Sequence, residues 1–452
     1  MPRWVVYIIS VLDITYINNL KNFNYKNSTM IIMIKKIKTG IILLLGSMII
    51  LSSCNKDLEQ FPTNEQPPTG GMSLVATLAA SPDDTLYNRL ITRAGLTATF
   101  NNTATGFTMF VPDNNAVKVL INALSGGLVP LVAPNSVFSD FISTALPASL
   151  AGSIVNYYTV PQKFPTSSFI HPFPNLELPT GVIALPGNPL ARLRLYVSKN
   201  PSTGIFYVNN LPLSGIDNVV GNSIIHHIPA LAPPPQRLIW ERLNTDSALT
   251  IFKAAVERAD SGFTPTTPGS LIGGMLNFGA NFTVLAPTNE AMKNLISALT
   301  GGAIPTAAPD AVFIGFIGSG SVSTLSIKGL VVYHLLGNRT SSGAAVFPIR
   351  AFTVNVPTTP IQVLTFINNP GPAVDHPGVT LQAVFTGPSA SALTVKGLAN
   401  ATPSNVLINP TPDASPSYGT TPPASPVMYP GTSDQHYVNG VLHYIDQVLI
   451  PF

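Results

Sequence analysis

FTVLAPTNEAMKNLISALTGGAIP, residues 282–305, restates FTMFVPDNNAVKVLINALSGGLVP, residues 107–130. Aligned without gaps, 107–138 and 282–313 share 17 of 32 residues. So long a match marks an internal duplication, and its spacing is that of a whole domain rather than a solenoid unit. Each copy opens with a short apolar, β-prone run, Phe107–Val111 or Phe282–Ala286, read as a strand stopped by Pro112 or Pro287. Asp113 and Thr288 are suited to cap a helix N-terminus. Ala116, Val117, Leu120, Ile121 and Leu124 then recur at helical spacing, as do Ala291, Met292, Leu295, Ile296 and Leu299. Gly126-Gly127 and Gly301-Gly302 are expected to end these helices.

The copies extend in both directions. Upstream, DDTLYNRLITRAG (83–95) and TDSALTIFKAAVERAD (245–260) read as amphipathic helices with acidic or hydroxyl caps. Downstream, SIVNYYTVP (153–161) pairs with GLVVYHLLG (329–337), and GNSIIHHIPALAPP (221–234) with VNGVLHYIDQVLIP (438–451). Asn439-Gly440 between apolar runs signals a hairpin. Pro233-Pro234-Pro235 can continue neither strand nor helix, so a boundary falls near Pro233–Arg237. The 43 prolines and 34 glycines predict long loops and short strands, hence a mixed α and β architecture.

FTVLAPTNEAM, VVYHLLG and VNGVLHYIDQVLIP resemble the characteristic boxes of the fasciclin (FAS1) domain, in the right order and present twice. The resemblance covers roughly residues 72–452. It implies an α+β fold: two tandem domains, 72–234 and 236–452, each a wedge of short strands in two sheets with packed helices. Copy one departs from the pattern, with Tyr158 in place of His334 and Pro229 in place of Asp446. Copy two is longer and contains NPTPDASPSYGTTPPASPVMYPG, 409–431, too rich in proline for regular structure.

The leader carries its own message. MIKKIKTGIILLLGSMIILSSC has basic residues at Lys35, Lys36 and Lys38, an apolar run from Ile41 to Leu51, and Cys54. This is a secretory signal, and its end resembles a bacterial lipobox in which Cys54 is lipidated. A run this short falls below the roughly 20 residues of a spanning helix. Met30 or Met33 is read as the start, which leaves residues 1–29 outside the protein. The NKDLEQ that follows Cys54 resembles the surface-export signal of Bacteroidota lipoproteins, and 55–71 reads as a flexible tether. The expected location is the outer membrane, lipid-anchored and surface-exposed. Without residues 1–53, 17 basic and 19 acidic residues remain, so no basic surface points to nucleic acid. With Cys54 the sole cysteine, the mature chain has no disulfide.

No G-x-S-x-G, P-loop, H-E-x-x-H or EF-hand loop occurs. His226, His227 and His443 lie in strand-like runs and read as structural. Asp375-His376 and Asp434-x-His436 fall in loop-like sequence without a second cluster at metal-ligand spacing. No catalytic residue, cofactor or metal is expected. In animal fasciclin proteins the tyrosine–histidine box is implicated in integrin contact. The resemblance therefore makes Tyr333 and His334 candidate binding residues, matched by Tyr157 and Tyr158 in copy one, with fold support as the plainer role. Tyr418 and Tyr429 on the Pro-rich segment are further candidates, since long loops on a rigid scaffold carry recognition. Asp84-Thr85-Leu86 and Asp246-Ser247-Ala248 fit a short O-glycosylation pattern, with helix capping as the plainer role. The expected function is non-enzymatic adhesion to an extracellular protein or polysaccharide. The alternative is a carbohydrate-binding accessory of an outer-membrane glycan-uptake system, for which Trp240 is the one tryptophan beyond the leader.

Overall fold

A computed structural model describes residues 71–170, 173–183, 188, 191–339, 346–368, 376–412 and 428–452. Cys54 and Tyr418 lie outside these residues. Pro67–Phe452 forms one compact unit.

Copy one runs α1 (Leu74–Ala80), α2 (Thr85–Arg93), α3 (Thr97–Asn101), β1 (Thr108–Pro112), α4 (Asn114–Leu124), α5 (Asn135–Thr144) and α6 (Ala148–Tyr157). It continues with β2 (Thr159–Val160), β3 (Leu176–Ile183), β4 (Arg192–Lys199), β5 (Phe206–Val208), β6 (Leu211–Pro212), β7 (Gly215–Val220) and β8 (Ser223–Ile228). Copy two repeats the helices as α7 (Ile239–Thr245), α8 (Thr250–Ala259), α9 (Leu271–Met275), α10 (Asn289–Leu299), α11 (Asp310–Gly318) and α12 (Thr324–Tyr333). Its strands are β9 (Phe282–Pro287), β10 (Leu335–Arg339), β11 (Val346–Pro348), β12 (Ile361–Thr365), β13 (Val379–Thr386), β14 (Ser389–Lys396), β15 (Ser404–Asn405), β16 (Gln435–Tyr437) and β17 (Gly440–Ile445).

In copy one two four-stranded sheets form, ordered β2-β1-β8-β7 and β3-β4-β5-β6. In copy two the pairing of β10 with β12 joins the corresponding sheets into one path, β15-β14-β13-β12-β10-β9-β17-β16. The two repeats keep one register. β1 pairs β8 in parallel with Thr108 opposite Ile224, and β9 pairs β17 in parallel with Thr283 opposite Val441. Helices cover one side of these strands and the second sheet closes the other, so each copy has two apolar cores. Leu90, Val117, Phe138 and Ile154 build the helix side of copy one, and Phe110, Tyr157, Leu195 and Val208 the space between its sheets. Phe252, Val284, Phe313 and Val331 repeat the first in copy two, and Tyr333, Leu381, Val395 and Ile445 the second.

The duplicated helix behaves as its sequence requires. Asp113 accepts from the Ala116 N–H at 2.7 Å and Thr288 from the Ala291 N–H at 3.2 Å. The paired glycines take φ of 63° and 83° in copy one and 62° and 83° in copy two, values a side chain would strain.

Three local expectations are corrected. Pro112 and Pro287 are the last residues of their strands rather than stops beyond them, tolerated because proline at a strand end forfeits only one donor. The hairpin turn is Val438-Asn439, with Gly440 already in β17 opposite Tyr437. Asp84 makes no capping bond for α2, and Leu249 precedes α8. The starts of these helices are held instead by the first asparagine of the duplicated helix, α4 or α10. Asn114 Oδ1 accepts from Leu86 N at 2.9 Å and its amide donates to the Pro82 carbonyl at 2.8 Å. Asn289 does the same for Ile251 N at 3.1 Å and the Ser247 carbonyl at 2.9 Å.

A fifth apolar cluster joins the copies: Tyr196 and Tyr207 from one, Phe352, Val354 and Val441 from the other. Buried amides surround it. Asn200 donates to the Val354 carbonyl at 2.7 Å, Asn175 to the Arg350 carbonyl at 2.7 Å, and Asn355 to Ser198 Oγ at 2.9 Å.

Candidate functional site

The tyrosine–histidine box is fully buried in both copies. Tyr333 OH donates to the Gly378 carbonyl at 2.6 Å and accepts from Leu398 N at 2.9 Å. His334 Nδ1 contacts the Leu330 carbonyl at 2.8 Å, and Nε2 accepts from Leu449 N at 3.0 Å. Burial pulls the His334 pKa down to about 4, so the ring is neutral. In copy one the Tyr158 hydroxyl does the same work, accepting from Ala232 N at 3.2 Å and donating to the Ala232 carbonyl at 2.9 Å. Both residues tie the last segment of a copy to the helix before β2 or β10. As placed, Tyr333 and His334 face no solvent.

His226 and His443 belong to a second duplicated device. His226 Nδ1 accepts from Asp217 N at 3.2 Å while Nε2 lies 3.1 Å from the Phe164 carbonyl. His443 repeats this with Asp434 N at 3.2 Å and the Ala351 carbonyl at 3.0 Å. Asp217 and Asp434 adopt φ of 55° and 52°. Asp217 binds the backbone N–H and hydroxyl of Thr166, and Asp434 those of Thr353. Periodicity shows the strand, but this long-range bond set has no sequence signal beyond the repeated Asp and His. Asp434 is thus buried rather than in an open loop, and His436 lies in β16, 2.7 Å from buried Arg350. His376 is buried as well, with Nε2 2.8 Å from the Pro451 carbonyl.

Tyr429 is also committed inward. Its ring covers the Arg242 guanidinium with 3.8 Å to the centroid, and its hydroxyl is 2.7 Å from Thr245 Oγ1. Arg242 Nε donates to Asp246 Oδ2 at 2.6 Å, Nη2 to the Gly431 carbonyl at 3.0 Å and Tyr444 OH at 2.7 Å, and Nη1 to Tyr437 OH at 3.1 Å. This buried ion pair is saturated with hydrogen bonds, the condition under which such a pair is tolerated. The two ends of the Pro-rich segment are tied beside it: Asn409 donates to the Pro430 carbonyl at 2.8 Å and accepts from Thr432 N at 2.9 Å. Trp240 is half-buried against the core of copy two.

Two clefts remain. One, about 100 Å³, is lined by the linker prolines Pro233–Pro235, by Tyr157 and Tyr158, and by His436 and Tyr437. The other belongs to copy one alone, between the start of α2 and the end of β8, where His227 Nε2 lies 3.3 Å from Asp84 Oδ2. Among the described residues no group of histidine, cysteine and carboxylate side chains is arranged to hold a metal ion, and no single helix is long and apolar enough to cross a membrane.

The family described as Fasciclin domain matches residues 83–232. Copy one of this chain is therefore a fasciclin domain. No curated protein matches the chain. Among solved structures, a FAS1 domain pair from the insect cell adhesion molecule fasciclin I is similar at 13% identity and a TM-score of 0.29, over 80% of this chain and 95% of that one. The fasciclin domain of copy one is repeated by copy two in strand register, helix caps and the His–Asp device. A fasciclin domain gives a binding, adhesion-type role in general.

Proposed function

We propose that this fasciclin protein is a lipid-anchored adhesion protein of the outer membrane that binds an extracellular protein or polysaccharide without catalysis. The observation that carries the reading is the family match over residues 83–232. The leader supports the anchor, and two linked copies would raise avidity from individually weak contacts. Because Tyr333, His334 and Tyr429 are buried, contact is assigned away from them, with the Pro-rich sequence around Tyr418 the first candidate.

Two measurements test this. Metabolic labelling with an alkyne fatty acid should mark the protein and fail to mark Cys54→Ser, which should also leave the membrane fraction. Unchanged labelling of the variant rejects the anchor. Beads coated with the protein should adhere to matrix proteins or to features of a glycan array. Absence of adhesion to either class rejects the binding role.

A further inference from the structure

The copy-one cleft is best understood through the same place in copy two. Helices α1 and α7 correspond, with Leu74 and Leu78 buried where Ile239 and Leu243 are buried. The carbonyls of Pro82 and Ser247, each held by its asparagine, fix the count along the chain. Thr77 therefore stands where copy two has Arg242, and Ser81 where it has Asp246. The strand register sets His227 against Tyr444, and the matched Asp217 and Asp434 set Ser214 against Gly431. Copy two fills this place with its own guanidinium, bonded to Asp246, Tyr444 and the Gly431 carbonyl. Copy one has no arginine there, and the place is an open cleft of about 680 Å³ lined by Thr77, Ser81, Asp83, Asp84, Asp113 and His227.

The cleft offers acceptors of its own: Ser81 and His227 replace Asp246 and Tyr444, and its carboxylate is Asp84, which stands where copy two has Leu249. The Asp84 side chain is 5% exposed. Its Oδ2 is 3.3 Å from His227 Nε2, while Oδ1 is buried with no hydrogen-bond partner among the described residues. A buried carboxylate oxygen left unbonded carries an uncompensated desolvation penalty, which favours a cation beside Asp84. Asp83 and Asp113 add negative charge, and Lys118 is the one cation in the lining.

We propose that this cleft binds a guanidinium group supplied from outside the chain, at the place where copy two holds Arg242. The proposal rests on the binding function above and assigns part of it to copy one. The planar fork of a guanidinium suits paired acceptors better than an ammonium does. His227 reports on occupancy. Its hydrogen bond to Asp84 holds its pKa above the ordinary value, so a cation on Asp84 should lower it. Asp83 and Asp113 act on the same ring and Lys118 lines the same cleft, and the ligand leaves all three unchanged. Protonated His227 competes for Asp84, so binding should weaken as pH falls through the His227 midpoint.

The test is an NMR titration of the His227 ring in the full chain with N-acetyl-arginine methylamide, methylguanidinium and N-acetyl-lysine methylamide. Capped arginine should bind and lower the His227 midpoint by roughly one unit, with capped lysine at least about tenfold weaker. Tighter binding of capped arginine than of methylguanidinium identifies a polypeptide source, and equal binding a small-molecule source. Asp84→Asn should weaken binding at least about tenfold. Thr77→Arg puts the copy-two guanidinium into copy one. It should fold normally by circular dichroism, lower the His227 midpoint without ligand, and abolish binding. Capped arginine that leaves His227 unchanged up to its solubility limit overturns the proposal. So does Thr77→Arg binding as the parent does, or calcium perturbing His227 where arginine fails. Bead adhesion measured on Thr77→Arg separates the two proposals: adhesion kept with a filled cleft removes the cleft from adhesion but leaves adhesion standing.

Discussion

At the scale of single residues, Tyr158 and His334 show one job done by two chemistries. Both accept a backbone N–H from the end of their copy, Ala232 or Leu449, yet only the histidine titrates in the range where proteins work. Its folded pKa of about 4 lies below the ordinary 6.5. The unfolded chain therefore binds a proton that the folded chain refuses. Stability from this group is complete above about pH 6.5 and falls between 6.5 and 4, by roughly 3 kcal/mol in total. His443 and His436 are also held low by burial and act in the same direction. The melting temperature should drop over this window, and His334→Gln, which keeps a donor and an acceptor, should drop less. An equal drop in the variant assigns the acid sensitivity elsewhere. The sequence shows Tyr333 and His334 as a box, but their burial depends on the second sheet closing over them.

Among the elements, the helices were legible and their fastening was not. Apolar spacing, Asp113, Thr288 and the double glycines specify α4 and α10, because those signals act over a single turn. The starts of α2 and α8 depend on Asn114 and Asn289, which lie 28 and 38 residues downstream in sequence. Nothing local to DDTL or SALT reveals this. Removing Asn114 leaves Leu86 N and the Pro82 carbonyl without partners, whereas removing Asp113 frees one helix-end donor near water. Asn114→Ala should cost about 2–3 kcal/mol and Asp113→Ala about 1 kcal/mol in urea unfolding. The reverse order would show that the asparagine is dispensable.

Across the whole molecule, the copies share a buried seam. Tyr196 and Tyr207 meet Phe352, Val354 and Val441, and Asn200 satisfies the Val354 carbonyl. A fragment spanning 236–452 would expose that apolar set to water. It should melt several degrees below the same residues in the full chain. Asn200→Ala should lower the melting of the full chain while leaving the fragment, which lacks residue 200, as the reference. Identical melting of fragment and full chain would mean that the seam contributes nothing.

The sequence by itself determined the duplication, the α+β class, the duplicated helix with its caps, and the strands on either side, because each rests on periodicity or on contacts within a few residues. Tertiary structure decided what each side chain faces. It turned Tyr429 from a loop tyrosine into a lid on Arg242 and buried Asp434 as a cap for Thr353. It also left Asp84 at an open cleft where copy two has a filled one. These outcomes depend on pairing β8 with β1 and β17 with β9 across more than a hundred residues. Only after that pairing do the two copies show which place one of them fills with its own arginine and the other leaves empty.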